Sequence, residues 1–353
     1  MANTGADLIA SLREPSVTQG WSAAQWTDVL SLARRELMLG HLAASIEAEN
    51  IFVPDRVNAN LIDALREVCH SAQRNKLEAE RLRDLLAPLQ CPVIVLKGSA
   101  YTMGGIQAGK GRLSGDLDIL VPRDQLDRVE TRLIEGDWVM QKTDPYDLHY
   151  YRNWMHELPP MQHSERGNTL DMHHTIMPLT ARLRPNAAAL IAEAVPLADT
   201  RLLQLCPADQ VLHSAVHLFH DGDMTGGLRN LHDVHRLLLD YGHAPDFWET
   251  LKLRTQIHGL GRPLFYALRY CISYFRTATL TADRLRNFSS YAPARPIVLL
   301  MDRLIEIRFA TVNAGPHTVS VRFAILLFYI RSHWIKMPPR LLLQHLWTKW
   351  RMH

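Results

Sequence analysis

The sequence predicts an α+β fold, a small mixed β-sheet unit flanked by N-terminal and C-terminal helical regions. The chain has 353 residues, 47% of them apolar and 21% charged, which supplies a sizeable core for two or three units. Residues 1–88 and 184–353 set apolar side chains three and four positions apart, the spacing of a buried helix face. Between them, at 89–183, short β-branched runs bounded by proline read as strands.

In the first region, "WTDVLSLARRELMLGHLAASI" places Val29, Leu30, Ala33 and Leu37 at helical spacing. "NLIDALREVCHSAQRNKLEAERLRDLLAPL" continues the period over a longer span, with Asn60 as a candidate cap before Leu61. Pro92 breaks the pattern. "VIVL" then reads as a strand, "LDILVP" as a second strand ended by Pro122, and "QLDRVETRLIEGD" as a helix stopped at Gly136. "NTLDMHHTI" alternates apolar and polar residues and reads as a third strand. From Pro185 onward the pattern is helical, through "ADQVLHSAVHLFHD", "GLRNLHDVHRLLLDYG" and "FWETLKLRTQIHGLGRPLFYALRYCISYF". No fixed-period repeat is present.

Composition narrows the function classes. A net charge of +3 is weak support for a polyanion partner. Cys69, Cys91, Cys206 and Cys271 form no Cys-x-x-Cys pair, which argues against a cysteine zinc site or a disulfide framework. A reducing cytoplasm is the expected location. The opening "MANTGADLIASLREPS" lacks the apolar segment of a signal peptide. "FAILLFYI", at 323–330, is too short to span a bilayer. The basic aromatic segments "RSHWIKMPPR" and "HLWTKWRMH" could make peripheral contact with an anionic membrane surface, but a solvated amphipathic tail is the favoured reading.

Residues 93–121, "VIVLKGSAYTMGGIQAGKGRLSGDLDILV", carry the chemistry. In a strand Asp116 and Asp118 share one face and Leu117 and Ile119 the other. Alternate residues lie about 6.6 Å apart, close enough for two carboxylates to share a pair of hard cations. Carboxylates on an apolar strand are costly unless a cation or hydrogen bonds neutralise them. Lys97-Gly98-Ser99 follows the preceding strand. Gly98 removes side-chain bulk so that backbone amides can approach an anion, and Ser99 can add a hydroxyl donor. Arg112 can grip phosphate in bidentate fashion. This set suits a nucleoside triphosphate with magnesium, and it is neither a Walker A motif nor a Rossmann fingerprint.

The order of these motifs resembles the DNA polymerase β-type nucleotidyltransferase superfamily, and within it a branch with a "LKG" strand, an arginine shortly before the aspartates, and a later hydrophobic-Asp-hydrophobic-His strand. "VLKGSAYTMGG", "GRLSGDLDILV" and "LDMHHTI" carry the resemblance, and the flanking "WTDVLSLARRELM" and "VLHSAVHLFHDGDMTGGLRNLHDVHRLL" extend it over most of the chain. The resemblance implies that Asp116 and Asp118 hold two Mg²⁺ (or Mn²⁺) ions. It implies that Asp171 completes the second metal site and helps deprotonate the acceptor hydroxyl, and that Lys97 and Arg112 meet the triphosphate. The implied reaction moves a nucleoside monophosphate to an acceptor hydroxyl and releases pyrophosphate. A small molecule, sugar or protein acceptor is favoured over nucleic acid, because no dense basic aromatic stripe is present.

The histidines support a rival. "HSAVHLFHDG" sets His213, His217 and His220 near one helical face, and His-Asp dipeptides at Asp221 and Asp233 recur in HD-type metal-dependent phosphohydrolases. Satisfied core histidines are the favoured reading of that face. His173 and His174 are expected to orient Asp171. A third possibility is a regulatory protein that binds nucleotide without turnover.

Overall fold

The strand that carries Asp116 and Asp118 lies in the middle of a seven-stranded mixed sheet. The computed structural model describes residues 4–198, 200–220, 224, 226–310, 319–343 and 347. The strands are β1 (Ile94–Val95), β2 (Asp116–Leu120), β3 (Trp138–Met140), β4 (Met161–His163), β5 (Thr169–His173), β6 (Val195–Pro196) and β7 (Leu203–Gln204), in the order β3-β4-β5-β2-β1-β7-β6. β2 runs parallel to β5 and antiparallel to β1, and β1 runs parallel to β7. Leu117, Ile119, Leu170 and Met172 share the face opposite the carboxylates and are fully buried in the core.

The three strands expected from sequence are β1, β2 and β5. The other four are short additions to the sheet edges. β6 and β7 correct the all-helical reading after Pro185: each has two residues, too few to show a period of two, and they form only because β1 offers an open edge.

The first helices are α1 (Thr4–Arg13), α2 (Ala23–Arg35), α3 (Leu39–Ala48) and α4 (Asp55–Leu86). Ser22 and Gln25 form a reciprocal capping box at the start of α2. α4 starts at Asp55 behind Pro54, so Asn60 is an interior residue rather than a cap, its amide donating to the Arg56 carbonyl. The buried face of this 32-residue helix changes character along its length, from Val57, Leu61 and Val68 to Ser71, Asn75 and Glu78. α5 (Lys97–Met103) follows β1, and α6 (Leu126–Glu135) stops at Gly136 as expected. α7 (Pro145–Trp154) was not legible: it buries no residue, so it has no apolar period, and its start is fixed by Asp144 accepting the amides of Tyr146 and Asp147.

The remaining helices are α8 (Ala187–Ala192), α9 (Pro207–His220), α10 (Gly227–Tyr241), α11 (Phe247–His258), α12 (Gly261–Phe275), α13 (Ala282–Arg286), α14 (Arg295–Ala310) and α15 (Val319–Lys336). α9 is buried almost all round, which makes it the central helix of this region. Its Asp209 is inaccessible to solvent; Arg254 on α11 donates to both of its oxygens, from Nε to Oδ1 at 2.9 Å and from Nη2 to Oδ2 at 2.5 Å, and His258 Nε2 lies 3.2 Å from Oδ1. No helix among the described residues is long and apolar enough to cross a membrane.

Burial raises the Asp209 carboxyl, but His258 and Arg254 outweigh it and hold the group below its ordinary value. A depressed carboxylate stabilises the fold above its unfolded pKa and loses that contribution as pH falls through the folded one. Asp209→Asn should therefore cost about 3–5 kcal/mol at neutral pH, the scale for breaking a buried pair. In urea titrations the gap between variant and parent should close below about pH 4; a gap independent of pH would show that the charge contributes nothing.

Candidate active site

β2 and β5 pair in parallel with Asp118 opposite Asp171, so neighbouring side chains in register leave the same face of the sheet. Asp116 joins them two residues earlier on β2. One ligand oxygen from each of Asp116, Asp118 and Asp171 lies within 4.8 Å of the others. The three environments differ. Asp116 is exposed, Asp118 is buried and Asp171 is partly buried.

Asp118 is the most heavily compensated. Its Oδ1 receives Lys97 Nζ at 2.7 Å and His173 Nε2 at 2.9 Å. Burial alone would raise its pKa; Lys97 and His173 outweigh burial and hold it well below the ordinary carboxylate value. Asp171 goes the other way. Burial, then the charges of Asp118 and Glu157, push it up to about 7, and its Oδ1 is buried without a hydrogen-bond partner. A buried carboxylate oxygen with no donor, on a side chain clustered with two other carboxylates, is the arrangement a divalent cation relieves. The cluster therefore fits hard cations: the oxygens are the right donors, and both existing bonds to Asp118 use Oδ1, so Oδ2 can face the metal.

The Lys-Gly-Ser turn is built by packing. Lys97 has φ +49°, an unfavourable backbone for a side chain with a Cβ. Strain of this kind persists where surrounding contacts over-determine it, here the bond from Lys97 to Asp118. A Cβ on Gly98 would lie 1.9 Å from Arg112 Nη1 and 2.2 Å from Ser114 Oγ. The glycine thus admits the Arg112 guanidinium. That guanidinium is buried, with Nε within 3.1 Å of both Asp233 oxygens and Nη1 donating to Ser114 Oγ at 3.0 Å. Ser99 Oγ donates to the Asp116 carbonyl at 3.2 Å and receives Asn75 at 3.1 Å. Lys97, Gly98, Ser99 and Arg112 all line one polar cavity of about 100 Å³ that reaches Asp116 and Asp118, and His217 and Arg229 face it from the helical region.

The glycine-rich loop before β2 is clamped from several sides. Gly111, at φ +73°, presses its carbonyl against Gly40 of α3, where a Cβ would stand 2.4 Å away. His41 Nδ1 contacts the Lys110 carbonyl at 2.9 Å, and the amides of Gln107 and Ala108 donate to Asp240 of α10. Ser71 and Asn75 of α4 bind the Ser114 carbonyl.

The histidine expectations resolve differently. His173 holds Asp118 rather than Asp171, and His174 Nε2 is buried without a partner. His213 and His220 are buried, which lowers them to about 3 and about 4; His220 Nδ1 meets the Val216 carbonyl. Among the described residues these side chains form no metal-binding group, and Asp233 is taken by Arg112. Asp221 lies outside the described residues. Sequence reasoning missed Glu157, whose Oε2 lies 3.4 Å from His173 Nδ1, because nothing in "WMHELPP" marks it. It also missed Asn75, which was readable as a polar residue on the apolar face of α4.

The model of a family described as an uncharacterised nucleotidyltransferase matches residues 22–276. The chain belongs to this nucleotidyltransferase family. No curated protein and no solved structure matches it. The match to this nucleotidyltransferase runs from the start of α2 through α12, so it takes in both the carboxylate cluster and the helices that wall the cavity.

The pinned guanidinium gives a direct test of the turn. Gly98→Ala should cost about 1–3 kcal/mol, as overpacking does, measured by chemical denaturation. Unchanged stability would show that Arg112 can move aside.

Proposed function

We propose that the chain transfers a nucleoside monophosphate from a nucleoside triphosphate to an acceptor hydroxyl at the Asp116, Asp118 and Asp171 cluster. The observation that supports this most strongly is the convergence of the three carboxylates, with one buried Asp171 oxygen left without a donor. We assign all three as ligands of Mg²⁺ or Mn²⁺, which when bound supplies charge neutralisation at the reacting phosphate and activates the attacking oxygen.

The chain's own residues position the reactants. Lys97 and His173 fix Asp118 in one orientation. Lys97, Gly98, Ser99 and Arg112 form the wall assigned to the triphosphate, with Arg229 adding a further cation to the same cavity. Arg112 faces that wall already bound to Asp233, so it contributes donor geometry more than net charge. Asp171, held beside the reacting oxygen by its place in the cluster, is the residue we assign to help take the acceptor proton. We place this activity in the unit 89–183, whose sheet β6 and β7 extend. A small molecule, a sugar or a protein side chain is the acceptor we favour.

Titration with Mn²⁺ should show binding that Asp116→Ala and Asp171→Asn weaken. With labelled triphosphates and a cell extract, Asp118→Asn should lower transfer on the order of 10²-fold or more, the scale of misplaced reacting groups. Full turnover in Asp116→Ala, with the fold intact by circular dichroism, would sink the ligand assignment.

A further inference from the structure

Helix α15 presents apolar side chains on two opposite faces. Val321, Ala324, Phe328 and Ser332 are buried against the rest of the protein. On the other face, at spacings of four, three, four and four, stand Val319 (85% exposed), Phe323 (58%), Leu326 (50%), Ile330 (54%) and Trp334 (57%). A continuous exposed stripe of this kind marks an interaction surface. The helix also lies beyond residue 276, outside the segment that matches the family.

Charge selects the partner. From Ile307 to His353 the sequence contains no Asp or Glu and seven Lys or Arg; Arg308 pairs with Glu36 and Arg331 bonds the Phe219 carbonyl, while Arg322 and Arg340 are exposed. Arg322 is exposed beside the stripe. Arg182 stacks on Trp334, its Cζ 4.2 Å from the ring centre, placing a further cation at the rim. An aromatic and aliphatic stripe edged by basic groups and free of acids complements a surface with an apolar interior and an anionic skin. α15 has 18 residues and does not qualify as a membrane-crossing helix. The geometry is therefore that of a helix lying in the interface plane.

We infer that α15 docks this protein onto an anionic lipid bilayer, with Phe323, Leu326, Ile330 and Trp334 entering the headgroup boundary and Arg322, Arg182 and Arg340 meeting lipid phosphates. A protein partner would bring acidic side chains to specific sites; the uninterrupted basic composition suits a diffuse anionic surface.

The test is co-sedimentation of the full chain with vesicles of phosphatidylcholine alone and of phosphatidylcholine mixed equally with phosphatidylglycerol. The expected result is sedimentation with the mixed vesicles only, weakened by salt. Arg322→Glu with Arg340→Glu should reduce partitioning by about five-fold or more per basic group removed, the factor that ~1 kcal/mol per charge implies. Phe323→Glu with Ile330→Glu should abolish it, with thermal unfolding unchanged because both side chains are exposed. Equal sedimentation with neutral vesicles, or none with either, would overturn the inference. So would a concentration-dependent dimer in analytical ultracentrifugation that the Phe323 and Ile330 variant dissociates, since that result assigns the stripe to a second copy.

Discussion

The burial of Asp118 in the centre of the sheet is the constraint from which the rest of the site follows. A carboxylate in that position is unfavourable unless its charge is answered. Two groups answer it on one oxygen: Lys97, brought from the end of β1 by a strained backbone, and His173, brought from the end of β5. The other two carboxylates receive no comparable help. Asp116 relies on solvent, and Asp171 is pushed up to about 7. The site is thus satisfied on one side and deficient in positive charge on the other. That asymmetry is what a divalent cation at the acidic face would relieve.

Rigidity around this centre comes from polar groups placed inside otherwise apolar elements. Asn75 on α4 reaches Ser99 and the carbonyls of Ser114 and Asp116, so one side chain ties the Lys-Gly-Ser turn to the entry of β2. Arg112 bonds Asp233 on α10, and Asp240 on the same helix caps the loop amides of Gln107 and Ala108. Buried charge pairs are costly to break. These contacts tie the helical regions to the carboxylate cluster, and the segment that matches the family takes in helices on both sides of the sheet.

What was legible in the sequence had a local signal. The Asp116-Leu117-Asp118 alternation showed two acids on one face, short apolar runs located β1 and β2, and the apolar-polar alternation of "NTLDMHHTI" located β5. Asp171 was legible through its place in a third strand, and its register opposite Asp118 is a long-range pairing that no window reveals. α7 lacked a period because it buries nothing, and β6 and β7 were too short to have one. The role of Gly98 was read as space for an anion. The structure fills that space with the Arg112 guanidinium, a partner set by packing at a separation of 14 residues that spacing alone does not encode. The histidines of α9 were weighed as core residues, and the burial of His213 and His220 follows from a helix that is covered on nearly every side.

α9 also connects the two ends of this argument. Its His217 faces the cavity beside Lys97 and Gly98. Its final turn is met by α15: Arg331 donates to the Phe219 carbonyl, and Ser332 Oγ donates to the His220 carbonyl at 2.8 Å. The last carbonyls of a helix have no partner within it, and a cation there also answers the helix dipole. The face of α15 opposite the exposed stripe is therefore held to the helix that walls the site by specific polar bonds. A surface engaged by the stripe would sit at a fixed distance and orientation from the carboxylates. An acceptor presented at such a surface would then approach the cavity from one direction, so the proposed membrane contact and the proposed transfer would share one geometry.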